Sequence, residues 1–331
     1  MPQYKDLVVE QPDGEIVCRA HGLIICGLCC VDFSFLQSDD GNDSIEDEDS
    51  AYEEQWIPNT PQSAHIHNGA SGRAGVNGFA TNCPEVAGVV SGVRLMEVDL
   101  AEGERPDRLS IRRGTGRSFP TTFVPPLATS VPSALFRPAV SRRAIPPVTR
   151  YIRRDDPQQM LIYADGACLN NGQANPKAGW AFVFKPTVGQ TPGHVSARLE
   201  NIGPFGDPSN QTSNRAELRA VLAALRFRHW EGEGFKTIVF ATDSEYVAEG
   251  ATHWARTWVR NGWRTSTGAV RNKDLWEMLL GEVERWNSWG VEIQFWRIPR
   301  ALNERADTAA KQAAEGTETY DTYQEFSGIL V

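Results

Sequence analysis

The sequence predicts an α/β fold with a five-stranded mixed sheet, its first three strands antiparallel, flanked by helices. Two observations lead to this prediction. From about residue 160 to residue 315, apolar runs of strand character alternate with runs of helical period. The three earliest apolar runs follow one another directly, whereas the later ones are separated by helical runs. That order is typical of a mixed sheet with helices on both faces.

Each of the five strands has its own local signal. Residues 160–164 are a short apolar run that meets an Asp-Gly pair, and they predict the first strand. Residues 179–185 and 195–202 predict the second and third strands. Residues 237–241 are β-branched and aromatic and predict the fourth, and residues 291–298 predict the fifth.

The predicted helices lie between and after these strands. The first is marked by apolar residues at positions i, i+3, i+4 and i+7: Leu218, Val221, Leu222 and Leu225. A second helix is expected to follow Ser244. The same period returns in Trp276, Leu279, Leu280 and Val283, and an Ala-rich run over residues 304–315 predicts the last helix.

Four acidic residues lie at the ends of these elements. Asp165 is predicted to end the first strand and Asp243 the fourth, while Glu217 opens the first long helix and Asp307 opens the last. The carboxyl ends of strands are where α/β proteins place their sites. Carboxylates that meet there repel one another and raise one another's pKa. Hard divalent cations remove that cost, and two such ions together catalyse phosphoryl chemistry.

Each of these residues also fits a structural role when it is taken alone. Asp165 and Gly166 form a common turn pair. Asn214 and Glu217 have the spacing of a capping box. Asp243 would suit a helix N-cap, and Asp307 would suit the positive end of a helix dipole. The four together, in this element order, favour a shared site.

The motifs that surround the four residues come in a specific order along the chain: Asp165-Gly-Ala-Cys-Leu-Asn-Asn171-Gly172, Lys177-Ala-Gly179, Gln211-Thr-Ser-Asn-Arg-Ala-Glu217, Thr242-Asp243-Ser244, the tryptophan-rich residues 254–266, Asn272-Lys273 and Asn303-Glu-Arg-Ala-Asp307. Over residues 158–316 this set resembles the type 1 ribonuclease H family. The resemblance implies an RNase H-like fold. It also implies an endonuclease that cleaves the RNA strand of RNA–DNA hybrids with two Mg²⁺ ions, for which Mn²⁺ can substitute.

The resemblance assigns roles to the four carboxylates. Asp165 would bridge both metals, and Asp307 would complete the site of the metal that activates the attacking water. Glu217 and Asp243 would hold the metal on the leaving-group side. Glu217 also matches the family's contact with the RNA 2′-hydroxyl, the group that distinguishes RNA from DNA.

The resemblance also implies contacts with both strands of the substrate. Three polar residues match positions that touch the minor groove and sugars: Asn171, Ser213 and Asn214. Thr212 and Asn272 match a pocket for a DNA phosphate, whose usual arginine is replaced here by Asn210. Trp254 and Ser266 match the DNA-strand channel. Residues 253–266 resemble the family's basic protrusion, in which Trp258 and Trp263 are expected to pack against the domain.

One departure from the family pattern bears on activity. Residues 299–303 replace a flexible loop that carries a histidine, so the chain resembles a fungal-like variant that lacks the His loop. Hydrolysis is expected to survive but to be slow. A weakly active or inactive nucleic-acid-binding protein is therefore an alternative. A nuclease for double-stranded RNA or for DNA is a third hypothesis.

Composition divides the chain into four predicted segments. Residues 1–37 are Cys- and His-rich, residues 38–156 are expected to be a largely disordered linker, residues 157–316 form the catalytic domain, and residues 317–331 form a C-terminal tail. The net charge is −9, but the charges are unevenly distributed along the chain. Residues 38–54 hold nine acidic residues and no basic one. Residues 105–154 hold eleven arginines and one Asp. Such blocks are typical of tails, and a basic one can tether a polyanion.

The N-terminal segment allows two interpretations. Cys18, His21, Cys26 and Cys29 resemble a Cys₃His zinc site in ligand type, although the first loop is short. Alternatively, the segment is a small apolar knot in which cysteine behaves as a buried hydrophobic residue.

The sequence also bears on location. The longest apolar run, residues 23–31, is too short to span a bilayer. Four acidic residues precede it, which argues against a signal peptide. We therefore expect an intracellular protein, nuclear or cytoplasmic, that is monomeric and has no membrane partner.

Overall fold

The computed structural model describes residues 8–12, 14–26, 31–32, 110–141, 143–189 and 191–328. All of them belong to one compact unit, Met1–Gln37 with Gly88–Val331. Two predictions lie outside the described residues: a linker over residues 38–109 and a ligand role for Cys29.

Short strands and one helical turn precede the predicted catalytic domain. They are β1 (Val8–Glu10), β2 (Ile16–Cys18), β3 (Ile25–Cys26), β4 (Val31–Asp32), β5 (Thr121–Thr122), α1 (Pro132–Leu135), β6 (Phe136–Val140) and β7 (Thr149–Arg153). The domain itself follows in the predicted order. It contains β8 (Gln159–Leu169), β9 (Lys177–Val183), β10 (His194–Arg198), α2 (Ser213–Phe227), β11 (Thr237–Thr242), α3 (Glu245–Glu249), α4 (Ala255–Arg260), β12 (Arg264–Thr265), β13 (Gly268–Ala269), α5 (Lys273–Ser288), β14 (Glu292–Arg297) and α6 (Glu304–Glu315).

The predicted mixed sheet is confirmed, but within the described residues it has eight strands rather than five. The five predicted strands lie in the order β10-β9-β8-β11-β14, with β8, β9 and β10 antiparallel and β11 parallel to both β8 and β14, and β5, β6 and β7 extend the sheet. Side chains of β8 alternate between two cores, as the two-residue period of a strand requires. Met160 and Ile162 pack in the larger core, which contains α2 and α5, while Leu161 packs in a second core that includes Ala306 of α6. Helices therefore cover both faces.

Residues 110–156 differ from the expected disordered linker. Strand β5 pairs in parallel with β14 at the edge of the sheet, and β7 pairs with the start of β8, beyond the point where β9 ends. Arginines of the basic block take part in this packing. Arg150 is fully buried and makes a bidentate ion pair with Glu233, with N–O distances of 2.7 and 2.9 Å.

A strap formed by residues 110–119 lies across α5. Gly114 and Gly281 pack backbone to backbone, and a Cβ on either would collide with the facing main chain. The Glu284 carboxylate accepts bonds from the backbone N–H groups of Thr115 and Arg117 at 2.8 and 3.0 Å. These contacts use glycine, main-chain N–H groups and a carboxylate rather than apolar periodicity. The sequence pattern therefore does not reveal that the strap is ordered.

The C-terminal tail also packs on the domain. Phe326 is 9% exposed and contacts the Trp180 ring edge to face, with 5.0 Å between ring centroids. Arg219 donates to the Gln324 carbonyl at 2.7 Å and stacks on Tyr323. Residues 320–328 thus contribute to the larger core, and this part of the predicted tail belongs to the folded domain. Among the helices of the described residues, none is long and apolar enough to cross a bilayer.

Candidate active site

The site opens where strands β8 and β11 part. Their pairing ends at Tyr163 and Ala241, and Asp165 and Asp243 each lie two residues further along. The prediction that Asp165 ends its strand is wrong. Strand β8 continues to Leu169 because the hairpin with β9 extends its pairing, and Asp165 lies opposite Ala181.

Gly166 sets the distance between β8 and α2. A Cβ at this position would collide with the backbone of Ala216 and Glu217, so only glycine permits the observed approach. Glu217 is the fifth residue of α2 and stands beside Asp165 as a result. The capping-box interpretation of Asn214 and Glu217 is wrong, because Thr212 is the N-cap and its hydroxyl accepts from the Arg215 N–H at 3.3 Å.

The environment of Asp165 is that of a crowded acidic centre. Its side chain is 4% exposed, and burial raises its pKa to about 8, with the charges of Asp243, Glu217 and Asp307 adding to the shift. The Gly166 N–H donates to Asp165 Oδ1 at 2.8 Å and partly offsets this rise. The four sequence-predicted carboxylates are therefore brought together around one buried carboxyl group.

Two neutral side chains orient two of the carboxylates. Ser244 Oγ donates to Glu217 Oε2 at 2.5 Å and also accepts from the Val247 N–H as the N-cap of α3. The N-cap role considered for Asp243 thus belongs to Ser244. Burial raises the pKa of Glu217, whereas the Ser244 hydrogen bond opposes that rise.

Asn303 fixes the position of Asp243. Its side-chain amide donates to Asp243 Oδ1 at 2.7 Å and to the Ala164 carbonyl at 3.1 Å, and the residue is 1% exposed. One amide therefore ties together β8, the end of β11 and the start of α6. Asn303 was part of a predicted motif but had no predicted role; its position four residues before the helical carboxylate of Asp307 could have suggested one.

Asp307 is the fourth residue of α6 and is surrounded by cations. Arg300 donates to its Oδ1, and Lys311 donates to its Oδ2 at 2.6 Å. Arg300 also lies 3.9 Å from Asp243 Oδ2. It belongs to a 3₁₀ turn, Arg300–Leu302, directly before α6. With Arg297 and Asp243 it lines an open depression of about 420 Å³.

The structure also brings together several of the predicted substrate residues. Asn171, exposed in the turn after β8, donates to Ser213 Oγ at 3.3 Å, and Asn214 is exposed beside it on α2. Thr212 and Asn272 are linked through Arg215, which binds the Thr212 hydroxyl through its N–H and approaches Asn272 Oδ1 at 3.5 Å.

Sequence reasoning assigned no role to Arg215. Its guanidinium is buried against Asp274, with N–O distances of 2.5 and 2.8 Å, so its charge is already compensated. Asn272 adopts a left-handed conformation (φ 55°) directly before α5 and donates to the Tyr246 hydroxyl at 3.1 Å. Arg215 thus contacts both of the residues that were predicted to bind a DNA phosphate.

The predicted protrusion projects beyond α3. Trp254 is 37% exposed and lies 5.9 Å from Trp258 between ring centroids, and Ser266 is exposed in the turn between β12 and β13. Trp258 and Trp263 pack against the larger core, in line with the role expected for them. The Arg256 guanidinium lies 4.6 Å from the centroid of the Phe119 ring, which connects the protrusion to the strap.

Comparisons with known proteins agree with this description. The RNase H family model matches residues 157–315. A ribonuclease H from Treponema pallidum is 39% identical over 174 residues, which cover 48% of this chain and 94% of that protein. A Cyanothece ribonuclease H is 36% identical and is covered over 90% of its length. Mouse ribonuclease H1 is 32% identical, and the match spans 49% of this chain but only about half of that protein (52%).

A solved structure, LC9-RNase H1, is described as a type 1 RNase H with the type 2 active-site motif. It is 28% identical, with 49% of this chain and 74% of that chain covered and a TM-score of 0.35.

Proposed function

Because this chain belongs to the ribonuclease H family, we propose that it hydrolyses the RNA strand of RNA–DNA hybrids with two Mg²⁺ ions held by Asp165, Glu217, Asp243 and Asp307. The observation that carries this proposal is the burial of Asp165 among three other carboxylates, which raises its pKa to about 8. Such a centre is stable in its ionised form only with cations beside it.

The donor set fits Mg²⁺. All four groups offer carboxylate oxygens, and Mg²⁺ binds through a few carboxylates while it retains several waters. When bound, the two ions would lower the pKa of an attacking water and neutralise the charge on the leaving 3′-oxygen. Mn²⁺, which also accepts carboxylate ligands, is expected to substitute.

The chain's own residues orient these oxygens. Ser244 and Asn303 hold Glu217 and Asp243 through hydrogen bonds of 2.5 and 2.7 Å. Arg300 and Lys311 balance the charge of Asp307 and must release at least one of its oxygens before that oxygen can bind a cation.

We assign the recognition of ribose, as opposed to deoxyribose, to polar groups beside Glu217. Asn171, Ser213 and Asn214 lie at the turn after β8 and the first turn of α2, where they can meet the sugar edge of a minor groove. The 2′-hydroxyl both donates and accepts hydrogen bonds, so it distinguishes RNA from DNA at such a surface. Trp254 offers an exposed ring for contact with the DNA strand.

Cleavage of a labelled hybrid in Mg²⁺ tests the proposal. Asp165→Asn, Glu217→Gln and Asp243→Asn should each reduce cleavage to background, whereas Asp321→Asn, a change at an exposed carboxylate, should not. Undiminished cleavage by any of the three site variants would contradict the assignment. The same assay with four duplexes should show that cutting requires ribose in the cut strand and DNA in its partner.

A second candidate function is hybrid binding without cleavage. It is suggested by residues 299–303, which carry Arg300 where the family resemblance implies a loop with a histidine. A protein that binds hybrids without turnover in either Mg²⁺ or Mn²⁺ would be a binding protein with the same fold. For the chain described here, a monomeric state and a nuclear or cytoplasmic location are predictions from the sequence.

A further inference from the structure

Cys18, His21 and Cys26 converge at one point outside the active site. Their donor atoms all lie within 4.8 Å of one another, and within the described residues they form the one such group of three. His21 Nδ1 lies 3.8 Å from Cys18 Sγ and 3.5 Å from Cys26 Sγ. From these positions we propose that the N-terminal segment binds a zinc ion through Cys18, His21 and Cys26.

The distances match those between the ligands of a tetrahedral zinc ion. With Zn–S near 2.3 Å and Zn–N near 2.0 to 2.1 Å, tetrahedral angles place a sulfur and a nitrogen ligand about 3.6 Å apart. The two measured sulfur–nitrogen distances fall on either side of that value. One ion can therefore reach all three atoms with little movement of the chain.

The backbone between Cys18 and Gly22 turns so that His21 faces the Cys18 sulfur. The His21 N–H points at Cys18 Sγ, with a separation of 3.3 Å, and the Gly22 N–H donates to the Cys18 carbonyl at 2.8 Å. Gly22 has φ +64°, which lets the chain turn back so that His21 faces the sulfur.

The alternative, an apolar knot, accounts for less of this geometry. Cys18 and Cys26 are buried at 1% and 0% exposure, and they contact Ile16, Ile24 and Ile145. Burial alone would explain two apolar thiols. It gives no reason for an exposed histidine to direct a ring nitrogen at both sulfurs, and metal coordination does.

A shared zinc ion would add stability to this segment. Strands β1 and β2 have three residues each, and β3 has two. Segments of so few residues bury too little apolar surface to fold alone and usually need a metal or a disulfide. Cys18 ends β2 and Cys26 ends β3, so a shared ion would clamp the two strands together.

The test uses the full chain and reads metal content directly. After dialysis the wild type should retain one zinc per chain, and replacement by Co²⁺ should give a thiolate-to-cobalt charge-transfer absorption. Cys18→Ser and Cys26→Ser should abolish both signals. The control Cys168→Ser, at a thiol remote from the cluster, should leave them unchanged. Asp165→Asn should retain the zinc, so a failure of hybrid cleavage would not affect this result.

His21→Ala separates metal binding from folding, because the ring is exposed and its removal leaves both buried thiols in place. We expect its zinc affinity to fall at least tenfold. A wild type without zinc, or a Cys18→Ser/Cys26→Ser variant that retains it, would overturn the proposal.

Discussion

The guanidinium of Arg300 donates a hydrogen bond to Asp307 and also lies within 3.9 Å of an oxygen of Asp243. The two carboxylates belong to different elements, the end of β11 and the first turn of α6. A side chain that is 67% exposed thus places positive charge between two proposed metal ligands. In the metal-free protein, Arg300 partly compensates the charge that Mg²⁺ would otherwise neutralise.

Arg300→Ala should therefore strengthen Mg²⁺ binding. An exposed ion pair contributes at most about 1 kcal/mol, which corresponds to about a fivefold fall, or less, in the Mg²⁺ concentration that half-saturates cleavage. Arg297→Ala is the matched control, because Arg297 lines the same depression but pairs with Glu245 instead. Mg²⁺ titrations of the cleavage rate measure both. An unchanged or increased Mg²⁺ requirement for Arg300→Ala would contradict competition.

Asn303→Ala should reduce both stability and cleavage. The substitution leaves the buried Ala164 carbonyl without its amide donor and releases Asp243, which costs about 1–3 kcal/mol. Asn303→Asp should be worse, because it places a second carboxylate against Asp243. Urea unfolding measures the effect, with Asn201→Ala, which removes an exposed Asn–Asp hydrogen bond, as the control. Equal midpoints for Asn303→Ala and Asn201→Ala would argue against a positioning role.

The metal-free protein should lose stability as pH rises from about 4 to about 8. The pKa of Asp165 is about 8 in the folded state, against 3.8 for an ordinary Asp, so between these values the folded chain holds a proton that the unfolded chain has lost. The stabilisation from that proton is complete at the acid end of the window and is lost as pH rises through the folded pKa. Glu217, whose pKa is also raised, acts in the same direction.

Melting curves in chelator, from about pH 5 to about pH 8, measure this slope. Asp165→Asn should flatten it, and Asp321→Asn should not. Added Mg²⁺ should stabilise the wild type most at the alkaline end, because the ionised carboxylates bind it. Parallel curves for the wild type and Asp165→Asn would show that Asp165 does not carry the effect.

Phe326→Ala should destabilise the domain by about 3 kcal/mol or more, as is usual for a buried phenylalanine. The ring packs edge to face on Trp180, itself fully buried in β9, so its loss leaves a cavity beside the central sheet. Thr319→Ala changes an exposed residue of the same tail and should be neutral. Urea midpoints compare the two, and equal values would mean that the tail is only loosely held.

The parts of the structure that sequence predicted are those with a periodic apolar pattern. The last helix matches its predicted bounds, Glu304–Glu315, and the five central strands lie where alternating or β-branched runs placed them. The carboxylates could be predicted together because each follows or opens such an element. Asp165 was misplaced at a strand end because an Asp-Gly pair is typical of turns, whereas Gly166 here accommodates the approach of α2.

Such patterns do not predict which residues that are far apart in the sequence contact each other. The contacts that orient the site, Ser244 with Glu217 and Asn303 with Asp243, join residues 27 and 60 positions apart. The strap is held by the main-chain packing of Gly114 on Gly281 and by the Glu284 carboxylate. Neither kind of contact changes the local period of the sequence, so only the folded chain reveals them.

Strand β5 determines whether the β14 edge of the sheet is paired in a fragment of the protein. It pairs with β14 at Gln294 and Phe295, and the Phe123 N–H donates to the Phe295 carbonyl at 2.8 Å. A fragment that begins at residue 157 would leave these backbone groups unpaired along an open sheet edge. Such edges recruit strands from other molecules and lead to aggregation. Residues 121–123 thus cover the β14 edge of the sheet.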